Sequence, residues 1–373
     1  MSQRIYLDYN ATTPLSKLVK AELLRLLELD LGNPSSRHWA GAAAAEIVEL
    51  SRIRVASLIG CDPTEIIFTS GGTEANNHSI KGVFFANQRK LQQPHFIISS
   101  IEHPAVTEPL SFLETLGARV TRVPVDGYGL VNSDDVRRAI EPETVLISVM
   151  LANNEVGTIQ PIEEIAAIAL EHQILLHTDA AQAVGKIAVD VDSMGVDMLS
   201  IAGHKLYAPQ GIGALYVREG IELAHFMHGA GHEGGRRAGT ENILEIAALG
   251  VACQEAAEWI DDTRIESLRD YFWEQLQNKF GERVHLNGHP IKRLPNTLNV
   301  SFEGTSGHDL LAQLPFLAAS TGSACRAGKQ HLSPVLSAMG LSSERCIGAV
   351  RFSLGRSTCK EEIDFVTKSW FSK

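Results

Sequence analysis

Three short segments of the chain combine residue types that could hold and activate a small anionic molecule. Gly71-Gly72-Thr73 opens a predicted helix, where backbone N–H groups and the helix dipole can bind a phosphate. Asp179 follows one predicted strand, and Lys205 follows another beside apolar residues that could desolvate its amine and make it nucleophilic. Taken singly, each has an ordinary alternative: a strand-to-helix turn, a helix N-cap and a solvated lysine.

Taken together, the three segments match the requirements of pyridoxal phosphate, an aldehyde cofactor that carries one phosphate. Lys205 could form the Schiff base, and Asp179 could keep the pyridine nitrogen protonated. Gly72 and Thr73, with His204, could bind the phosphate. The glycine spacing is neither the GxGxxG of dinucleotide sites nor a P-loop, so the pattern disfavours nucleotide binding.

The elements that must position these residues alternate along the chain. Between about residues 45 and 220, apolar runs alternate with stretches of helical periodicity such as Pro104–Leu116 and Ile162–His172. This alternation predicts an α/β fold with a mostly parallel, seven-stranded sheet, whose carboxyl edge places Asp179 and Lys205 together. The predicted strands are Glu65–Thr69, His95–Ser99, Ala118–Pro124, Val145–Val149, Ile174–Thr178, Met198–Ile201 and Gly213–Val217.

The C-terminal third has a different pattern. Helical spacing predicts one long helix over Asn242–Phe280, followed by a strand at Thr297–Phe302. A final helix is predicted at Lys360–Trp370, with Ser357 and Thr358 as its cap. This part of the chain therefore predicts a smaller α+β unit.

The length of 373 residues favours two domains of unequal size. We place their boundary near residue 260, inside the predicted long helix. The large cofactor-binding domain is expected over 15–260, and the small domain over 1–14 and 261–373. The active site is expected in the cleft between them.

Charge and cysteine content exclude several classes of protein. The 44 acidic and 33 basic residues give a net charge of −11, which argues against a broad surface for nucleic acid or anionic membranes. Five cysteines without a CxxC pair form neither a disulfide framework nor a structural zinc site. With no signal segment and no long apolar run, a soluble cytoplasmic protein is expected. The spacing of His225, His228 and His232 lacks a carboxylate or cysteine partner, so no metal site is predicted.

Ordered motifs along the whole chain make the sequence similar to the cysteine desulfurase and selenocysteine lyase family. These are pyridoxal-phosphate enzymes of the class V aminotransferase group, with transferase fold type I. The motifs that carry the resemblance are LDYNATTP (Leu7–Pro14), GNPSSRH (Gly32–His38), FTSGGTEANN (Phe68–Asn77), SSIEHPAV (Ser99–Val106), LANNEVGTIQPI (Leu151–Ile162), HTDAAQAVGK (His177–Lys186), GHKLYAPQGIGALYV (Gly203–Val217), RRAGTEN (Arg236–Asn242), STGSAC (Ser320–Cys325) and VRFSLGR (Val350–Arg356).

The resemblance implies roles for further residues around the cofactor. His103 would stack on the pyridine ring and take part in acid–base steps, and Asp179 would pair with the ring nitrogen. Asn154 and Gln182 would hydrogen-bond near the phenolic oxygen or the substrate. Ser200 would join the phosphate-binding residues named above.

Two more residues acquire roles from the same resemblance. Arg351 would bind the substrate carboxylate, a task that suits a bidentate guanidinium. On residue type alone, Arg351 is an ordinary strand arginine. Thr240, in RRAGTEN, would reach the cofactor phosphate of the neighbouring subunit, which implies a homodimer with shared sites.

Cys325 separates a sulfur enzyme from an ordinary transaminase. It lies in a stretch of small residues suited to a mobile loop, and the neighbouring Arg326 favours its thiolate. The resemblance implies attack on the sulfur of L-cysteine, which leaves a persulfide on Cys325 and releases L-alanine. The sulfur would pass to an acceptor protein, such as an iron–sulfur scaffold or a tRNA-modification carrier. Four other cysteines are expected to be small structural residues: Cys61, Cys253, Cys346 and Cys359.

Two alternatives stay open at the level of sequence. A selenocysteine lyase keeps the fold and cofactor, and SPVLSAMG (Ser333–Gly340), RLPNTLN (Arg293–Asn299) and Asn10 favour that branch, whereas STGSAC favours the desulfurases. A non-catalytic scaffold could instead hold the cofactor and bind a sulfur-carrier partner. Such a scaffold has no need of a carboxylate-binding arginine, so Arg351 argues against it.

Overall fold

Helices and strands alternate through most of the chain in a computed structural model, which describes residues 4–321, 324–326 and 329–370, and the side chains of 4–321 and 332–370. The strands are β1 (Ile5–Tyr6), β2 (Ile66–Thr69), β3 (His95–Ser99), β4 (Arg119–Val123), β5 (Thr144–Ser148), β6 (Leu175–Asp179), β7 (Met198–Ala202), β8 (Gly213–Val217), β9 (Val284–Asn287), β10 (Thr297–Phe302), β11 (Leu317–Ala318), β12 (Ser320–Thr321), β13 (Ala324–Arg326), β14 (Lys329–His331) and β15 (Ala349–Ser353). The α-helices are α1 (Lys17–Leu27), α2 (Trp39–Ile59), α3 (Gly72–Asn87), α4 (Pro104–Glu114), α5 (Ser133–Ala139), α6 (Ile162–Glu171), α7 (Val191–Met194), α8 (Ile243–Ala257), α9 (Arg264–Phe280), α10 (Gly307–Ala312), α11 (Pro334–Ala338), α12 (Ser343–Ile347) and α13 (Lys360–Ser369).

A seven-stranded sheet forms the centre of the fold, with strand order β2-β8-β7-β6-β5-β3-β4. Its pairs are parallel except those of β8, which runs antiparallel to both β2 and β7. This arrangement confirms the predicted α/β fold. All residues of β2, β3, β7 and β8 are buried, which explains their continuous apolar runs.

Helices cover both faces of this sheet. On one face, α1, α2, α6 and α8 contribute buried apolar residues such as Val55 and Ile246 to a core that includes Ile147 and Leu199 of the sheet. On the other face, α3 and α4 enclose a second core with residues such as Val83. The helices therefore hold the carboxyl ends of β5, β6 and β7 in a fixed frame.

A second, four-stranded antiparallel sheet lies in the C-terminal part, with strand order β12-β15-β10-β9. It packs with α9 and α13 around a core of large side chains that includes Phe272, Phe352 and Trp370. The N-terminal residues Ile5 and Leu7 belong to the same core, and β1 pairs with β11. The division into domains of 15–260 and of 1–14 with 261–373 stays a prediction.

The predicted single helix over Asn242–Phe280 is wrong, because the structure contains two helices there. The first, α8, ends at Ala257, and α9 begins at Arg264. Between them, the Asp262 carboxylate accepts a hydrogen bond from the backbone N–H of Arg264 at 2.8 Å. The apolar spacing continues through this break, but an aspartate that accepts a hydrogen bond from the N–H group two residues later forms a local turn that interrupts the helix.

The cap predicted for the last helix is also wrong. Cys359 is the N-cap residue of α13, and its backbone N–H donates to the Glu362 carboxylate at 3.1 Å. Thr358 instead accepts a hydrogen bond from the backbone N–H of Gly355 at 3.0 Å. In the part of the chain that the structure describes, no helix is long and apolar enough to cross a membrane.

Candidate active site

A cavity of about 400 Å³ opens at the carboxyl edge of the seven-stranded sheet. Four strand ends deliver its main residues: β2 leads into α3, β3 leads to His103, β6 ends at Asp179, and β7 leads into the short 3-10 turn Gly203–Lys205. Arg351, from β15 of the four-stranded sheet, also lines the cavity. The lining residues are Asn10, Ala11, Gly72, Thr73, Asn76, His103, Ala105, Met150, Ala152, Asn154, Asp179, Ala181, Gln182, Ala202, His204, Lys205 and Arg351.

The Lys205 amine lies in this cavity and contacts the backbone of the N-terminal segment. Its Nζ donates to the carbonyl oxygens of Asn10 at 2.6 Å and Ala11 at 2.7 Å. Burial lowers the pKa of Lys205 to about 8, and the positive charge of Arg351 adds to this effect. An amine with such a pKa is unprotonated in a substantial fraction of molecules near neutral pH, as nucleophilic attack on a carbonyl requires.

Asp179 ends β6 with its carboxylate fixed at both oxygens. Oδ2 accepts a hydrogen bond from Nδ2 of Asn76 at 2.7 Å, and Oδ1 accepts one from the backbone N–H of Ala181 at 2.9 Å. Asn76 is a site residue that the sequence reasoning missed. The available signal was its spacing: it follows Gly72 by four residues on the same helix and so shares its face.

Both cavity histidines favour the neutral imidazole. His103 is the N-cap of α4, and its Nδ1 accepts a hydrogen bond from the backbone N–H of Ala105 at 3.1 Å. Burial lowers the pKa of His103, and it lowers the pKa of His204 to about 4 with a further contribution from the Lys205 charge. Nδ1 of His204 lies 3.2 Å from Oγ1 of Thr12. His204 can therefore donate a hydrogen bond to an anion but contributes little positive charge.

The N-terminus of α3 forms the end of the cavity suited to an anion. Its N-cap residue is Gly71, whose φ of 146° favours glycine, and no side chain caps the first turn. Glu74, in that turn, accepts hydrogen bonds from the backbone N–H of Ser70 and from Arg237, both at 2.8 Å. Backbone N–H groups at Gly72 and Thr73 are thus available for a phosphate.

Arg351 is held by two contacts that leave part of its guanidinium free. Nη1 donates to the carbonyl oxygen of Asn154 at 2.9 Å, and Nη2 donates to the carboxylate of Asp8 at 2.8 Å. Its buried Nε has no hydrogen-bond partner among the described residues. Nη1 and Nη2 each carry a second N–H group, and because Arg351 lines the cavity these groups could bind a carboxylate ligand.

Ser200 does not line the cavity, which corrects the phosphate contact predicted for it. Because β7 continues to Ala202, Ser200 lies inside the strand, and its hydroxyl is 3.0 Å from Nε2 of His177. Nδ1 of the same histidine is 2.8 Å from the hydroxyl of Ser148. Ala202, at the end of the strand, occupies the place beside the cavity.

Two further predicted site residues are Thr240 and Cys325. Thr240 is exposed and does not line the cavity of its own chain. Cys325 lies in β13, which pairs with β14 in a hairpin, and its side chain is outside the described residues. The rings of His225 and His228 lie 6.2 Å apart, but the described residues contain no group of three or more potential metal ligands.

The residues present fit pyridoxal phosphate. An amine, a buried carboxylate and an uncapped helix N-terminus surround one cavity of suitable size. These groups suit the three parts of the cofactor: the amine its aldehyde, the carboxylate its pyridine nitrogen and the helix N-terminus its phosphate. Lys205, Asp179 and the first turn of α3 would hold the respective groups. His103 and Gln182 lie beside them in the cavity lining.

Comparison with known proteins identifies the family to which the chain belongs. The sequence profile described as aminotransferase class-V matches residues 5–366, nearly the whole chain. The chain belongs to the aminotransferase class-V family. This family assignment agrees with the cavity, since class-V aminotransferases are pyridoxal-phosphate enzymes.

Individual relatives resemble the chain over almost its full length. A protein from Dictyoglomus turgidum named cysteine desulfurase IscS is 46% identical over 369 residues, which cover 98% of this chain and 93% of the relative. Among solved structures, one described as a NifS-like protein has a TM-score of 0.91 at 35% identity and 98% coverage of both chains. A structure of SspA in complex with cysteine has a TM-score of 0.84 at 38% identity, with 94% of this chain and 98% of that chain covered.

Proposed function

We propose that this protein is a pyridoxal-phosphate cysteine desulfurase, which converts L-cysteine to L-alanine and leaves the sulfur as a persulfide on Cys325. The observation that carries the proposal is the convergence of the Lys205 amine, Asp179 and Arg351 on one cavity. Two relatives support cysteine as the substrate. The relative from Dictyoglomus turgidum is named a cysteine desulfurase, and the SspA structure is described as a complex with cysteine.

Each cavity residue acquires a definite task in this reaction. Bound pyridoxal phosphate would supply an electron sink for the substrate carbon that bears the amine. Asp179 would hold the proton of the ring nitrogen, and Arg351 would bind the substrate carboxylate through its free N–H groups. The Lys205 amine would remove and return the proton at Cα, which its lowered pKa allows near neutral pH.

The sulfur step requires a further nucleophile, the role that the resemblance gives to Cys325. The Cys325 thiolate would attack the substrate sulfur, so that an S–S bond forms as the substrate Cβ–S bond breaks. The electron pair of the broken bond stays with Cβ, which is protonated to become the methyl group of alanine. Transfer of the terminal sulfur to a thiol of an acceptor protein would then restore the Cys325 thiol.

We also propose a homodimer in which Thr240 reaches the partner's cofactor phosphate. Thr240 is exposed in one chain, and the nearby Arg237 forms an ion pair with Glu74 in the first turn of α3. Although this ion pair lies at the phosphate end of its own cavity, Thr240 does not line that cavity, so its exposed side chain is available to a partner chain. A cytoplasmic location stays a prediction of the cysteine pattern.

The proposed activity is tested by measuring alanine release from L-cysteine and from L-selenocysteine. We expect the holoprotein to absorb at about 400 nm and to release alanine from both substrates. Lys205→Ala should abolish both reactions. Cys325→Ala should abolish release from cysteine but spare part of the selenocysteine reaction, because selenium leaves more readily than sulfur.

Cys359→Ala is the matched control, since Cys359 is an exposed cysteine at the start of α13. It should behave as the wild type with both substrates. A preparation that stays colourless with added cofactor would overturn the proposed activity. Equal loss of both reactions in Cys325→Ala would contradict the role given to its thiolate.

A further inference from the structure

Lys186 is a second lysine next to the cavity, and the resemblance gives it no role. It lies four residues after Gln182 and lines a small cavity of about 50 Å³ that also contacts Lys205. Its Nζ donates to Oε1 of Gln182 at 2.6 Å and to Oδ1 of Asn10 at 2.9 Å. The amine therefore contacts two residues that line the main cavity.

The contact with Lys186 determines which way the Gln182 amide faces. A lysine amine offers N–H donors, so the amide must turn its carbonyl oxygen toward Nζ. The NH₂ group of Gln182 then faces the opposite way, where Nε2 donates to the backbone carbonyl of Asn10 at 3.0 Å. The reverse orientation would bring two groups of N–H donors together and leave Lys186 without this acceptor.

Asn10 extends the same network to Lys205. Its backbone carbonyl accepts hydrogen bonds from both Gln182 and Lys205. Its side chain is fixed as well, since Nδ2 donates to Oγ1 of Thr297 at 2.8 Å and Oδ1 accepts from Asn296 at 3.0 Å. Asn10 is 1% exposed, so the network has little freedom to rearrange.

We propose that Lys186 is a positioning residue, which fixes the Gln182 amide with its NH₂ group toward the cofactor linked to Lys205. This inference rests on the proposed function, because the group that receives this NH₂ is the anionic ring oxygen of pyridoxal phosphate. A donor facing that oxygen stabilises its deprotonated form. Without Lys186, the Gln182 amide can turn its carbonyl oxygen toward the ring oxygen of the cofactor. An acceptor in that place no longer stabilises the negative charge of the ring oxygen, so the linked cofactor keeps its proton to a higher pH.

The charge of Lys186 is not needed for this role. Burial lowers the pKa of Lys186, and the positive charges of Lys205 and Arg351 lower it further. A neutral amine still has two N–H groups, one for Gln182 and one for Asn10. The other charged groups that bear on Lys205 are Asp8 and Asp179, and neither is altered by a change at Lys186.

The test is a pH titration of the visible absorption band of the holoprotein, in single and double variants. Lys186→Met keeps the length of the side chain and removes its donors. We expect it to raise the titration midpoint by about one pH unit, a tenfold change in proton affinity, because a hydrogen bond to the anion is lost. In a Gln182→Ala background, Lys186→Met should leave the midpoint unchanged.

A shift of equal size in both backgrounds would overturn the inference, since it would show that Lys186 acts without Gln182. An unchanged midpoint in Lys186→Met alone would also overturn it. Lys17→Met, an exposed lysine on α1, is the matched control. If the methionine variant does not fold, Lys186→Leu serves the same test. A wild type without a visible band would instead refute the proposed function.

Discussion

At the scale of single residues, the Lys205 amine is the group whose pKa determines how fast the cofactor is bound. Its pKa of about 8 in the cofactor-free chain is caused mainly by burial. We expect the rate of pyridoxal phosphate uptake by the apoprotein to rise with pH and to reach half its maximum near pH 8, because only the neutral amine attacks the aldehyde.

Stopped-flow absorbance at the visible band measures this rate. The rate should rise at a lower pH than for an ordinary lysine, because a lowered pKa increases the neutral fraction of the amine at every pH below the usual value of about 10.4. A half-maximum near pH 10 would contradict the burial of the amine that the structure shows.

Arg351 gives the second prediction at this scale. Arg351→Lys removes the planar fork while it keeps the positive charge, so carboxylate binding through several N–H groups is lost. We expect KM for L-cysteine to rise about 10- to 100-fold, as for the loss of one charged hydrogen bond, with a smaller change in kcat. Steady-state alanine formation measures both constants.

Arg345→Lys is a suitable control for this change. Arg345 donates to Asn287 at 2.7 Å, away from the cavity, so its substitution should leave KM unaltered. A normal KM in Arg351→Lys would show that the substrate carboxylate binds elsewhere.

At the scale of elements, the 3-10 turn Glu233–Gly235 is attached to α2 by a buried ion pair and to β2 by a backbone hydrogen bond. Glu233 accepts hydrogen bonds from Arg52 at 2.9 and 3.0 Å and from the backbone N–H of Phe68 at 2.8 Å. The two charged side chains are 2% and 10% exposed. This pair fixes the segment that leads to Thr240.

Glu233→Gln should lower the free energy of unfolding by about 3 kcal/mol, because it removes the buried counter-charge of Arg52. The remaining acidic partner of Arg52 is the exposed Glu49, whose carboxylate lies 3.2 Å from Nε. Urea denaturation of the apoprotein measures this loss. Arg137→Gln removes an exposed ion pair with Glu171 and is expected to cost at most about 1 kcal/mol. Similar losses in the two variants would contradict the burial of the Arg52 pair.

Most elements of the sheet could be predicted from the sequence. Strands such as His95–Ser99 and Gly213–Val217 are apolar on both faces, and their predicted bounds agree with the structure. The break within 242–280 could not be predicted from apolar spacing, because the spacing continues across it. A polar contact, in which Asp262 accepts from the N–H of Arg264, ends the regular pattern.

The candidate site was predictable where a residue follows a strand and less so where a residue lies within one. Asp179 and Lys205 follow the rule for the carboxyl edge of parallel strands, and the structure brings both to the cavity. Ser200 lies inside β7, where its hydroxyl contacts His177, and it does not line the cavity. Asn76 and Lys186 were missed since their partners, Asp179 and Asn10, are distant in sequence.

At the scale of the whole molecule, the proposed homodimer makes each active site depend on two chains. Mixing inactive Lys205→Ala chains with Thr240→Ala chains tests this dependence. A hybrid dimer would contain one site with an intact Lys205 and an intact Thr240 from the partner. We expect the mixture, after exchange of subunits, to regain alanine formation above the sum of the two separate variants. Activity equal to that sum would show that Thr240 serves its own chain.

The central claim, that the sulfur of L-cysteine is transferred to Cys325, is tested most directly by mass spectrometry of peptides from the holoprotein. The holoprotein is allowed one turnover without an acceptor and is then alkylated and digested. The peptide that contains Cys325 should carry one additional sulfur atom, and the amount of this modified peptide should equal the amount of alanine formed. Cys325→Ser should release no alanine from L-cysteine and carry no additional sulfur. Alanine formed without sulfur on Cys325, or sulfur found instead on Cys61, Cys253, Cys346 or Cys359, would contradict the account.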